Sequence, residues 1–161
     1  MLHNSLIIIH AAAGVASFVA GCLVLLPPAQ HNSKRWLFLI YFASLMALVG
    51  FMLVVIGVDW TNLALAQRLS FSGLALLGLY TAWRAIQARQ VLQRRQAEWQ
   101  QKYVDHVGFT LISLFDGFVI VSAIDLQAPG WLVAVIAVLG VAVGIGGINT
   151  VKSKLPYAKA I

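Results

Sequence analysis

Asp116 lies within an apolar run, Leu114-Phe115-Asp116-Gly117-Phe118, in a chain of 161 residues with only five Asp and Glu. A carboxylate at the centre of a membrane span costs about 2.5–3.5 kcal/mol on insertion scales. Such a group should face the bundle interior, either paired or protonated. His106, Thr110, Ser113 and Asp116 follow one another at steps of four, three and three residues. At about 100° per residue these steps draw one slowly drifting polar stripe along a helix. The stripe has the form of a water-accessible groove or a proton path.

Two more ionisable residues, His10 and Arg68, sit inside apolar stretches. An Asp116–Arg68 pair would lower the desolvation cost of both charges. His10 would add a hydrogen bond or a proton carrier. The candidate ligand or proton site is thus Asp116, Arg68, His10, Ser113, Thr110 and His106. The plain structural alternative is an ion pair that only fixes helix register. In another, Arg68 snorkels with Gln67 to the membrane surface and leaves Asp116 protonated.

The spans that must position these residues are read from charge and hydropathy. The chain is 61% hydrophobic and 10% charged, against about 25% charged in a soluble domain. Ten of the eleven Lys and Arg fall at Lys34–Arg35, Arg84 to Lys102, and Lys152 to Lys159. Apolar stretches of roughly bilayer-spanning length, about 17–25 residues, separate them. The expected fold is an all-α integral membrane bundle of five helices, forming a single domain. The helices are expected at about 6–26, 36–58, 63–84, 107–124 and 131–150. Pro27-Pro28 stops the first helix, and Pro129-Gly130 makes the last turn. The net charge of +6 is confined to membrane-flanking segments, which positive-inside bias explains without nucleic acid.

This sorting places the N-terminus outside and the C-terminus in the cytoplasm. Asp59 and Asp125 then occupy outer turns. Trp60 and Trp131 lie at the outer interface, and Trp36, Trp83 and Trp99 at or near the inner one. A helical rise of 1.5 Å per residue puts His10 and Arg68 roughly 6–9 Å, and Asp116 roughly 12–15 Å, below the outer helix ends. Val19-Ala20-Gly21-Cys22 looks like a lipoprotein cleavage site. However, no Lys or Arg precedes the apolar run, which continues past Cys22, so a retained first helix is expected.

The stretch from Ala82 to Tyr103 has no Gly or Pro and many good helix formers. Helix 3 is therefore expected to extend into the cytoplasm to about residue 103, with Leu92, Trp99 and Tyr103 on one face. Its basic residues suit an anionic lipid or a docking partner, although ordinary flanking charge also accounts for them. Ala13, Ser17 and Gly21, and Gly140 and Gly144, form small-residue faces suited to close helix packing, within the bundle or with a second copy.

Other chemistries have thinner support. Paired histidines could hold haem b, but His10 and His106 lie roughly 20 Å apart along the membrane normal by the same helical-rise arithmetic. A haem- or quinone-binding redox subunit remains as an alternative. His31, expected in a loop, together with His106 and Asp105 offers a weak metal site with no spacing motif. His3 is read as a terminal residue. One cysteine, Cys22, allows no intrachain disulfide. No G-x-S-x-G, H-E-x-x-H or phosphate-cradling glycine loop occurs.

His10-Ala-Ala-Ala-Gly14, then Gly21, then His31 and Lys34-Arg35 before helix 2, resembles the start of a family of small bacterial multi-pass membrane proteins of unknown function. That family pairs a first-helix His-x-x-x-Gly with a basic His-Arg loop; here Asn follows His31. The resemblance covers the first quarter of the chain. It implies a small bacterial inner-membrane protein, adds weight to His10 and His31, and supplies no activity. The function expected is a binding or structural module, or an accessory subunit of a membrane complex. The alternative is proton or small-ligand handling at the Asp/Arg/His site.

Overall fold

The computed structural model describes residues 2–25, 31–94 and 98–155. The Pro27-Pro28 stop, Arg95 and Lys159 lie outside the described residues, as do the side chains of His3, His31, Lys34 and Asp125. Five helices follow in order: α1 (Leu2–Leu25), α2 (His31–Asp59), α3 (Leu65–Arg94), α4 (Trp99–Asp125) and α5 (Gly130–Ser153). All five are long and apolar enough to cross a membrane, and no strand occurs among the described residues. This is the expected helical class. A bilayer favours it because a helix satisfies its own backbone hydrogen bonds there.

The helices depart most from expectation in two places. α2 begins at His31 rather than Trp36, so His31 belongs to a helix and not to a loop. Nothing in His31-Asn32-Ser33-Lys34-Arg35 breaks a helix, and Asn and Ser suit its first turn. The second difference is larger. α3 does not run on to residue 103: it ends at Arg94, and α4 starts at Trp99, eight residues before the expected Val107. Leu92 is therefore on α3, while Trp99 and Tyr103 share α4 with ring centroids 6.5 Å apart. Glu98 adopts φ 59°, a left-handed conformation that costs a side-chain-bearing residue about 1–2 kcal/mol. No Gly or Pro marks this break, so local propensity could not reveal it.

The end of α4 has a clear local cause. Gln127 is left-handed at φ 53°, and the Ala128 amide donates to the Ala123 carbonyl at 2.9 Å. This is a Schellman closure, here with Gln where Gly is usual. Pro129 follows and caps α5 in an extended conformation.

Packing divides the chain into two compact units, Met1–Ala82 and Trp83–Ile161. In the first, α1 packs on α2. Ser17, Ala20 and Val24 are buried on α1, and Phe38, Tyr41, Leu45 and Val49 on α2. Two polar ties cross this seam. His10 Nδ1–H donates to the Leu48 carbonyl at 3.0 Å, and the Ser17 hydroxyl donates to the Tyr41 carbonyl at 3.4 Å. Donors and acceptors both step by seven residues in opposite directions, the register of an antiparallel pair. Gly14 sits against Leu48, where a Cβ would come within 2.8 Å of its side chain.

The second unit is built on α4 and α5, whose seam is a sequence of reciprocal fits. Gly108 receives Ile148, Gly144 receives Ile112, and Gly140 receives Asp116 and Phe115. Each step moves one turn along α4 and one turn back along α5. Small residues thus alternate with large ones across the seam, and the backbones approach closely.

Candidate functional site

Three of the four stripe residues on α4 are buried: Thr110, Ser113 and Asp116. His106 is half-buried. The periodicity inferred from sequence therefore corresponds to an inward-facing row. The Thr110 hydroxyl donates to the Val107 carbonyl of its own helix at 2.7 Å. Asp116 Oδ1 is buried and has no hydrogen-bond partner. A Cβ at Gly140 would lie 2.8 Å from that oxygen, so the missing side chain at Gly140 makes the space the carboxyl group occupies.

Arg68 and His10 have their partners inside the first unit. Arg68 Nε donates to the Leu63 carbonyl at 2.9 Å, and one Nη donates to the Thr61 carbonyl at 3.2 Å. Its guanidinium lies 5.7 Å from the Trp60 ring centroid. Gln67 Oε1 accepts from the Ala64 amide at 3.0 Å. Arg68 and Gln67 together close the turn before α3. His10 ties α1 to α2 through Nδ1, which must carry a proton to donate to the Leu48 carbonyl. Arg68 thus closes a local turn, and His10 joins two helices.

The second unit holds a cavity of about 420 Å³ at the other end of the α4 stripe. Arg84, Lys102, Asp105 and His106 line its polar side, with Asn149; Ile112, Ile145 and Ile148 line its apolar side. On α4 the wall reaches Ile112, one turn short of Asp116. The Asp105 carboxylate is held by Lys152, whose Nζ donates to both oxygens at 2.8 and 2.9 Å. Arg84 donates from Nη to the Asp105 carbonyl at 3.2 Å and lies 5.1 Å from the Phe109 ring centroid. Arg84 Nε and His106 Nδ1 are buried with no hydrogen-bond partner. The smaller cavity beside it is lined by Gln87, Arg94, Trp99, Lys102 and His106, among others.

Among the described residues, no three His, Cys, Asp or Glu side chains gather to hold a metal ion. Of the candidate ligands His31, His106 and Asp105, the side chain of His31 lies outside the described residues, and Asp105 forms an ion pair with Lys152. Sequence reasoning gave Arg84 and Lys102 a role toward anionic lipid or a docking partner, or as flanking charge, but missed the cavity they share with His106 and the tie of Lys152 to Asp105. The complementary spacing Gly108, Ile112, Asp116 and Gly140, Gly144, Ile148 was the available signal, because it sets the register that brings Lys152 to Asp105. No family model, curated protein or solved structure matches the chain, so its chemistry rests on its own geometry.

Proposed function

We propose that this chain is a multi-pass protein of the bacterial inner membrane that works as a binding or structural module, as an accessory subunit of a membrane complex. One observation carries the reading: no residue of the 24-residue helix α5 is buried. Val138, Leu139 and Val143 are among its well-exposed apolar side chains. A spanning helix packed on one neighbour leaves the rest of its surface to lipid or to another protein. The close α4–α5 seam and the structural ties of His10 and Arg68 favour a scaffold over a catalyst. The test is purification from the native membrane in mild detergent after cross-linking from cysteines placed at Val138 and Val143. Reproducible cross-links to one membrane protein support the subunit reading. Cross-links to none, with a monomeric particle, overturn it.

A second reading, proton or small-ligand handling, is favoured by the buried Oδ1 of Asp116 without a partner, since intramembrane ionisable groups mark such sites. It predicts that Asp116→Asn abolishes proton flux in proteoliposomes while the protein remains folded.

A further inference from the structure

We propose that the larger cavity of the second unit is a binding site for a phosphate ester on an apolar body, the chemistry of an anionic phospholipid headgroup. The first argument is charge. Arg84 and Lys102 line the cavity, and the one carboxylate among its lining residues, that of Asp105, is neutralised by Lys152 through both oxygens. Two positive charges are left facing a common space.

The second argument is unmet hydrogen bonding. Arg84 is a permanent cation with five N–H donors. One Nη donates to the Asp105 carbonyl, and Phe109 lies under the guanidinium, yet the Nε–H is buried without an acceptor. His106 Nδ1, on the same cavity wall, is buried without a partner as well. Leaving such groups unsatisfied costs about 1–3 kcal/mol each. Guanidinium forks match phosphate oxygens, and a small shift of the Arg84 side chain brings its buried Nε–H to an anion in the cavity it lines.

The third argument is the opposite wall. Ile112, Ile145 and Ile148 give a free inorganic ion nothing to bind, but they suit the glycerol and first acyl carbons of a lipid. The volume of about 420 Å³ falls within the usual range for small-molecule sites and accommodates a headgroup rather than a whole lipid. This site needs no partner protein, so it stands or falls separately from the subunit reading.

The experiment uses the full chain, delipidated in mild detergent and titrated by native mass spectrometry. The probes are phosphatidylglycerol, phosphatidylcholine and inorganic phosphate. Phosphatidylglycerol should bind in preference to phosphatidylcholine. Arg84→Gln and Lys102→Gln should each weaken that binding about tenfold, the scale of one lost charge-assisted contact. Arg35→Gln removes the same charge from the first unit and should change it little. Lys102 is exposed, so its variant tests the site even if Arg84→Gln fails to fold. If millimolar phosphate displaces the lipid, the apolar wall contributes nothing and the site is one for free phosphate, which overturns the phospholipid assignment. The proposal is overturned if neither probe anion binds, or if the cavity variants lose no more than Arg35→Gln.

Discussion

An acid inside a spanning helix is ordinarily explained by its partner. For Asp116 what the structure provides is space: Oδ1 has no partner and lies against Gly140. Asparagine has the same shape and keeps an acceptor there while removing the charge. Asp116→Asn should therefore leave thermal stability in detergent unchanged or raise it, by up to about 2 kcal/mol. A loss of more than about 1 kcal/mol would mean that the carboxylate charge holds the fold together. Burial of Asp116, Ser113 and Thr110 was legible in their spacing. The fate of Arg68 was not, because its acceptors are main-chain carbonyls of Thr61 and Leu63, whose direction depends on the path of the turn.

At the scale of elements, the α4–α5 seam separates two kinds of glycine on one helix. A Cβ at Gly144 would run into the side chain of Ile112, whereas a Cβ at Gly146 or Gly147 meets open space. Gly144→Ala should destabilise by about 1–3 kcal/mol through overpacking. Gly146→Ala should be neutral or gain up to about 1 kcal/mol from helix propensity. Melting in detergent distinguishes them, and Ile112→Ala in the Gly144→Ala background should restore most of the loss. Equal effects at Gly144 and Gly146 would remove the seam as a determinant. The break between α3 and α4 belongs to this scale too. Residues from both sides of it, including Arg84, Gln87, Trp99 and Asp105, meet around the two cavities. These contacts offset a left-handed Glu98.

At the scale of the whole molecule, two compact units share five spans, and the charge distribution proposes their orientation. Lys and Arg cluster around the α1–α2 connection, the α3–α4 connection and the end of α5. Positive-inside bias then puts Asn62 outside and Ser153 in the cytoplasm. With Cys22 replaced by serine, a membrane-impermeant maleimide applied to intact spheroplasts should label Asn62→Cys and should reach Ser153→Cys only after lysis. The opposite pattern would reverse the orientation and put the cationic cavity on the outer face.

Composition by itself determined that this chain forms helices long and apolar enough to cross a membrane, because so few charges are spread over so much apolar sequence. Periodicity determined which face of α4 turns inward, because a polar row on a spanning helix is costly against lipid. Local rules also predicted a helix stop just before Pro129 and the small-residue face of α5, although the turn falls at Leu126–Gln127 and Gly130 already belongs to α5. Only the tertiary structure decided where α3 ends, since helix propensity is continuous through Arg94. It alone decided that Arg68 bonds the turn before α3 and that His10 ties α1 to α2, and that Arg84, Lys102, Asp105, His106 and Lys152 meet. Those meetings depend on register between helices distant in sequence. That register is set by the fit of glycines against isoleucines and Asp116 along the seam, and it becomes visible only when the two helices are packed.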